Sequence, residues 1–229
     1  MMQSFKKLII GLAALLLLTV GHSANAVTLD TLLSGGTITS GNLTFGNFSY
    51  TDSANLSVPA STINVIPIQQ PFSKTYGLEF SGSWVTSTTP VTADYTISYT
   101  VTAPTATIDD YELNMTGAVI GTPPTGQITI AENAIDQNNN GLASIGTALA
   151  YNGSYTPTLS ILSAKGYFPL QSKLLINKNI NISNGAGTIT HLSVVDQNFS
   201  QVPEPSALMM LFGSGICGSL FFLRKRSVA

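Results

Sequence analysis

The chain has 229 residues, of which 9% are charged. The basic residues are concentrated at the two ends, so the segment 27–200 has four lysines, no arginine and ten acidic residues, a net charge of −6. A nucleic-acid-binding protein needs a basic patch, and this composition excludes that class. The only cysteine, Cys217, lies near the C-terminus, so the segment 27–200 has neither a disulfide nor a cysteine-based metal site.

The first 26 residues have the three parts of a secretory signal peptide. Two lysines precede an apolar stretch at 8–20, which is too short for a comfortable transmembrane helix. Ala24 and Ala26 form the small-x-small pattern of a signal-peptidase site, which predicts Val27 as the mature N-terminus. The alternative is an uncleaved N-terminal anchor. We expect the general secretory translocon to export the segment that follows.

The segment 27–200 has the length of one domain, and its pattern favours strands. The clearest alternation is at 94–102, where Tyr95, Ile97 and Tyr99 share one face. The other strands are predicted at 42–50, 78–84, 125–133, 158–163, 173–182 and 187–195. Short strands separated by turn residues predict an all-β fold, a single antiparallel β-sandwich of the jelly-roll or immunoglobulin-like type.

Four places are less regular. Gly46 could mark a β-bulge within the strand at 42–50. The segment 103–124 is rich in Thr and Pro but keeps an apolar alternation, so it belongs to the domain. The stretch 133–141 is the most polar and is predicted to be an exposed loop. The residues 143–150 fit either a helical turn or another strand.

The same polar stretch contains a partial calcium motif. Asp136, Asn138 and Asn140, followed by Gly141, match the first half of a calcium loop, in which hard oxygen ligands alternate before a glycine turn. The second half is missing, because position 12 is Thr147 and cannot supply a bidentate carboxylate. The sequence therefore favours a polar turn, with a weak calcium site as the alternative.

Two other features could support catalysis. Asp110 and Glu112 would share one face of a strand, as a pair of carboxylates for glycoside hydrolysis would require, but a solvated strand face gives the same spacing. His191 is the only histidine after the predicted cleavage site, and no nucleophile-elbow motif accompanies it. We expect no enzymatic activity and no cofactor.

The C-terminal tail has three consecutive parts. The first is the motif Val202, Pro203, Glu204, Pro205 and Ser206. The second, 206–223, is uncharged and as a helix would be about 27 Å long, enough to cross a thin hydrocarbon core. The third is the basic stop Arg224, Lys225 and Arg226. Because basic residues stay cytoplasmic, the C-terminus is predicted inside and the domain outside.

The prolines of the motif keep the chain extended immediately outside the membrane, which is the form that a protease binds most easily. The alternative is that the motif only marks the start of a tail anchor. In the order and spacing of its parts, the tail at 201–229 resembles the PEP-CTERM sorting signal of Gram-negative bacteria. The resemblance implies processing by an exosortase, a membrane-embedded cysteine peptidase, and a destination at the cell surface or in the extracellular matrix.

These observations lead to three functional hypotheses. The first is a non-enzymatic structural or interaction role at the cell surface, with exopolysaccharide as a candidate partner. The second is a carbohydrate-binding or adhesin-like module in which Trp84 and tyrosines stack on sugar rings, although the strand pattern at 78–84 favours a core position for Trp84. The third is a secreted glycan-active enzyme that uses Asp110 and Glu112.

Overall fold

The structure, a computed structural model, describes residues 25–52, 56–70, 73–105 and 107–202. The strands are β1 (Val27–Thr28), β2 (Ile38–Ser40), β3 (Leu43–Thr51), β4 (Asn64–Gln70), β5 (Thr75–Val85), β6 (Val91–Thr102), β7 (Ile108–Ile120), β8 (Thr125–Asp136), β9 (Gly141–Asn152), β10 (Leu159–Ile161), β11 (Ser163–Gln171), β12 (Lys173–Asn184) and β13 (Ile189–Gln201). One short helix, α1 (Leu29–Leu33), and one 3₁₀ turn (Ala60–Thr62) complete the described elements.

The strands form two antiparallel sheets that pack face to face. Sheet 1 has the order β1-β4-β5-β13-β7-β11, and sheet 2 has the order β10-β9-β8-β12-β6-β3-β2. Alternate residues of each strand are buried between the sheets, as the pattern of β12 shows: Leu174, Ile176, Ile180 and Ile182 are all 0% exposed. The predicted all-β sandwich is therefore confirmed.

The strand order identifies the sandwich as a jelly roll. Four antiparallel pairs, β5·β13, β6·β12, β7·β11 and β8·β9, are the successive rungs of one long hairpin. Successive pairs alternate between sheet 1 and sheet 2, so this hairpin is wrapped around the core, which is the jelly-roll arrangement. Two further pairings, β12·β8 and β13·β7, close the wrapped hairpin. The immunoglobulin-like alternative is wrong.

An aromatic cluster fills one part of the core between the sheets. The ring of Tyr99 contacts three phenylalanine rings, with centroid distances of 6.1 Å to Phe45, 5.4 Å to Phe48 and 5.7 Å to Phe80. Tilted and stacked aromatic pairs at this spacing add to the stability that burial of apolar area provides. Tyr99 lies in the strand whose alternation was the clearest in the sequence.

Most predicted strands are present, and several boundaries differ. Strand β8 continues to Asp136, and its ladder with β9 continues to Ile135, so the predicted loop at 133–141 is wrong and only residues 137–140 turn. The residues 143–150 belong to a strand and not to a helical turn. The predicted strand at 158–163 is split between β10 and β11. The bulge predicted at Gly46 is confirmed by a register shift between β3 and β6.

Several predictions concern residues outside the described ranges. These are the signal peptide up to Ala24, the motif from Pro203 to Ser206, the apolar stretch at 206–223 and the basic stop at 224–226. Within the described ranges, no helix has the length and apolar character needed to cross a membrane. The first described strand begins at Val27.

Candidate functional site

The last two described residues, Gln201 and Val202, lie at the end of a central strand of sheet 1. The backbone N–H of Gln201 donates to the carbonyl oxygen of Lys74 at 3.3 Å. The backbone N–H of Val202 donates to the carbonyl oxygen of Thr107 at 2.9 Å. Val202, the first residue of the predicted motif, is therefore held by the folded domain, and Pro203 follows with no intervening linker.

The calcium candidate is a tight hairpin turn between β8 and β9. One carboxylate oxygen of Asp136 accepts backbone hydrogen bonds from Asn138 and Asn140, both at 2.8 Å. The other accepts a hydrogen bond from the Asn140 side-chain amide at 2.9 Å. These bonds to Asn140 lower the pKa of Asp136. The turn satisfies its carboxylate internally, and the described residues contain no group of three side chains suited to hold a metal.

Two acidic residues of β7, Asp110 and Glu112, lie on the outer face of sheet 1. Tyr111 and Leu113 point into the core, so Asp110 and Glu112 share the opposite face, as the sequence predicted. Asp110 is 6% exposed, and it accepts hydrogen bonds from the Lys165 amine at 2.9 Å and from the backbone N–H of Ser200 at 3.3 Å. The hydrogen bond to Asp110 raises the pKa of Lys165.

An exposed aromatic side chain lies beside this pair. Tyr167 of β11 is 71% exposed, and the amine of Lys165 is 5.2 Å from the centre of its ring. The strand register places Tyr167 opposite Asp110 and Lys165 opposite Glu112. Ser163 donates its hydroxyl to a carboxylate oxygen of Glu112 at 3.3 Å. We call Tyr167, Lys165, Asp110, Glu112 and Ser163 the Tyr167 patch.

The core side of β11 fixes the position of the patch. The ring of Tyr111 packs over Gly166, where a Cβ atom would be 2.4 Å from the ring edge, and lies 5.7 Å from the ring of Phe168. Because Gly166 and Phe168 face inward, Lys165 and Tyr167 must face outward. Sequence reasoning missed β11 and therefore Tyr167. The sequence does contain an alternation at Ala164, Gly166 and Phe168, which face inward. It is hard to detect because alanine and glycine have little apolar side chain.

Further along the same outer face, two carboxylates oppose each other across neighbouring strands. Asp196 of β13 pairs in register with Glu79 of β5. Partial burial and, second, the negative charge of Glu79 raise the pKa of Asp196. Together with Asp110 and Glu112, they make this face negative overall despite Lys165. An anionic ligand is disfavoured on such a surface.

The Asp196→Asn substitution should stabilise the protein at neutral pH. A carboxyl group whose folded-state pKa is raised destabilises the fold when it ionises, so the advantage of asparagine is largest above that raised pKa. The advantage should shrink as pH falls and vanish below about 3.9, where aspartate is protonated in both states. Because the side chain is partly exposed and solvent screens the repulsion, the gain is below about 1 kcal/mol, or roughly 2–4 °C in Tm.

Melting curves of wild type and Asp196→Asn between pH 3 and pH 8 measure this difference. Asp30→Asn on the exposed surface of α1 removes one negative charge elsewhere and is the control. A gain that is equal for both variants, or constant with pH, would contradict the proposed repulsion with Glu79.

Two predicted candidates lie elsewhere. Trp84 of β5 is 0% exposed, so its predicted core position is confirmed and it is not available to stack on a sugar. His191 of β13 is opposite Val85 on one side and Ala118 on the other. Neither residue contributes to the Tyr167 patch.

Comparison with known families identifies the tail. The PEP-CTERM protein-sorting motif matches residues 201–226, as the sequence resemblance predicted. This motif implies that the protein is exported, anchored in the membrane and then processed by an exosortase-type enzyme. No curated protein matches the chain in sequence.

Solved structures give partial matches to the chain. The xylan-binding module CBM22-1 of Paenibacillus barcinonensis Xyn10C is 11% identical, with a TM-score of 0.28 over 74% of this chain and 97% of that chain. The module TmCBM61, solved with β-1,4-galactotriose, is 11% identical, with a TM-score of 0.30 over 66% of this chain and 87% of that chain. Tailspike protein 4 of bacteriophage CBA120 is 17% identical, with a TM-score of 0.30 over 68% of this chain and 19% of that chain.

Proposed function

We propose that this protein is a non-enzymatic β-jelly-roll module which the PEP-CTERM motif delivers to the surface of a Gram-negative bacterium, where it binds a neutral exopolysaccharide. Before processing, the tail would cross the membrane with its basic end in the cytoplasm. The observation that carries the binding proposal is the Tyr167 patch, an exposed aromatic ring beside fixed hydrogen-bonding groups on a sheet face.

The chemistry of the patch suits a sugar. The face of a tyrosine ring offers apolar area at small entropic cost, and a pyranose ring has an apolar face that can lie on it. Glu112 and Lys165 next to the ring can accept and donate hydrogen bonds to sugar hydroxyls. The ion pair with Asp110 restrains Lys165, so less side-chain freedom is lost on binding. The acidic surroundings favour a neutral polysaccharide over an anionic one.

The same geometry supports a binding role over hydrolysis. Glycosidases place one carboxyl group on each side of the scissile bond. Here Asp110 and Glu112 extend from the same strand face, and Asp110 is engaged by Lys165 and by the backbone of Ser200. This pair therefore does not place an acid and a base on opposite sides of a sugar. A purely structural role in the matrix is the second candidate, and it requires no ligand.

The Tyr167→Ala substitution should weaken polysaccharide binding at least about tenfold, because it removes the stacking surface. Binding is measured by affinity electrophoresis and by calorimetry of the released protein with neutral polysaccharides from the producing strain. Tyr155→Ala is the matched control, since Tyr155 is also 71% exposed but lies in the loop after β9. If wild type binds none of them, the binding proposal is wrong and the structural role is favoured. If only Tyr155→Ala weakens binding, the patch is assigned wrongly.

Replacing Pro203, Glu204 and Pro205 by alanine should leave full-length protein in the membrane, because an exosortase-type enzyme would no longer find its extended motif. Fractionation and immunoblotting of cells follow the full-length and released forms. Alanine at residues 155–157, an exposed triplet containing one proline, is the control and should be released normally. Unchanged release of the first variant would mean that the tail is a plain anchor.

A further inference from the structure

A lysine is enclosed between the two sheets. The side chain of Lys178 of β12 is 0% exposed. Its amine contacts a carboxylate oxygen of Glu132 of β8, which is also 0% exposed. It also donates a hydrogen bond to the side-chain carbonyl oxygen of Gln197 of β13 at 2.9 Å. Because β8 and β12 belong to sheet 2 and β13 to sheet 1, these three side chains join the sheets.

Burial drives the lysine and the glutamate towards their neutral forms. Desolvation lowers the pKa of Lys178 and raises the pKa of Glu132. When the proton is shared so that neither group is charged, the lysine is a free amine and therefore a nucleophile. Beside it, Glu132 is a carboxylic acid that can both give and take a proton.

The electrophile is also held in place. The amide nitrogen Nε2 of Gln197 donates to the backbone carbonyl oxygen of Glu112 at 3.2 Å, which turns the side-chain carbonyl towards Lys178. Glu132 interacts with Gln197 as well as with Lys178. An amine, a carbonyl group and a proton carrier thus meet in a site with no exposed atom of Lys178, Glu132 or Gln197. Fixed orientation of this kind converts a slow reaction between two groups into an effectively unimolecular one.

We propose that Lys178 and Gln197 become joined by an intramolecular amide bond, with Glu132 as the proton-transferring catalytic residue. Nζ of Lys178 forms a bond to Cδ of Gln197, and the bond between Cδ and Nε2 breaks. Glu132 takes a proton from the attacking amine and passes a proton to the departing nitrogen, which leaves as ammonia. Nothing is oxidised or reduced, so the reaction needs no co-reactant.

Such a bond would tie β12 of sheet 2 to β13 of sheet 1 across the core. The segment 27–200 contains no cysteine, so a disulfide cannot provide this link. A cross-link stabilises chiefly by restricting the unfolded chain. The proposal is independent of polysaccharide binding, because none of the three side chains is exposed on the Tyr167 patch.

Mass spectrometry of the exported protein, digested under denaturing conditions with a protease that cuts before aspartate, tests the bond. Asp196 is the only aspartate between the two residues, so an unlinked chain gives Lys178 and Gln197 in separate fragments, 136–195 and 196 onward. We expect one joined species whose mass is about 17 Da below the sum of the two fragments, because ammonia is lost.

Variants assign the roles. Lys178→Met and Glu132→Gln should give separate fragments, whereas Lys173→Met, an exposed lysine of the same strand, should give the joined species. Loss of ammonia at Asn-Gly sequences lowers the mass equally but joins no fragments, so it cannot imitate the result. Separate fragments from the wild type would overturn the proposal. So would a link from Lys178 to the fragment that contains Glu132, with loss of water instead of ammonia.

Discussion

The Glu132→Leu substitution is expected to lower the free energy of unfolding by about 3–5 kcal/mol, because it prevents the proposed amide bond and leaves the amine of Lys178 buried without its carboxyl partner. The side chains of both residues are 0% exposed, so neither water nor a surface group can replace the lost partner. Removing the proton carrier also prevents the proposed amide bond, so the lysine must remain a free amine. The measurement is urea unfolding followed by tryptophan fluorescence and circular dichroism.

Adding Lys178→Met to Glu132→Leu distinguishes two causes of the lower stability, the unpaired amine of Lys178 and the changed packing at residue 132. In the double variant Glu132→Leu/Lys178→Met, no charge remains at the site, and apolar side chains of similar volume often replace a buried ion pair without loss. The part of the loss that comes from the unpaired amine should return, whereas the part that comes from the missing amide bond should not. Lys173→Met, on the exposed face of the same strand, should change stability by less than about 0.5 kcal/mol. A double variant no more stable than Glu132→Leu would show that the unpaired amine does not contribute to the loss.

The buried pair of Lys178 and Glu132 shows which features of the core could be predicted from the sequence and which could not. In β12 the inward parity reads Leu174, Ile176, Lys178, Ile180 and Ile182, and in β8 Glu132 stands between two inward-facing residues, Ile130 and Ala134. In each of these two strands, the sequence alone shows a charged residue at a position where the alternation predicts an apolar, inward-facing one. The pattern within one strand does not show which residue of another strand lies opposite. Lys178 and Glu132 are 46 residues apart in the sequence, so their pairing could not be predicted.

β6, which was predicted, has an uninterrupted alternation that includes Tyr95, Ile97 and Tyr99. The missed strands contain residues that interrupt it. β4 includes Pro67, which argues against a strand because proline has no N–H to donate to the ladder. β11 has glycine and proline near its centre. The jelly-roll order depends on pairings such as β5 with β13, and local pattern contains no information about these.

The candidate site shows the same division. The common face of Asp110 and Glu112 follows from the period of a strand and is confirmed. Their neighbours Lys165 and Tyr167 come from β11, which pairs with β7 across more than 50 residues of chain, as the contact between Ser163 and Glu112 at a separation of 51 shows. The sequence therefore predicted the carboxylates but not the aromatic ring that makes the patch suitable for a sugar.

The Trp84→Ala substitution is expected to destabilise the fold by about 3–5 kcal/mol without any direct effect on ligand contacts. The indole is 0% exposed, and it packs so closely over Gly82 that a Cβ atom there would be 3.0 Å from the ring. Truncation to alanine leaves a cavity that this β-sheet, paired on both sides of β5, can fill only partly. Urea unfolding measures the loss.

Tyr167→Ala is the informative comparison with Trp84→Ala, because one variant removes an exposed aromatic side chain and the other removes a buried one. Tyr167 is 71% exposed, so its removal should change stability by less than about 0.5 kcal/mol while it weakens polysaccharide binding. Trp84→Phe, which keeps a large apolar ring in the core, should lose less stability than Trp84→Ala and bind like wild type. If folded Trp84→Phe loses binding while Tyr167→Ala retains it, the ligand contacts the region of Trp84 and the proposed patch is not the site.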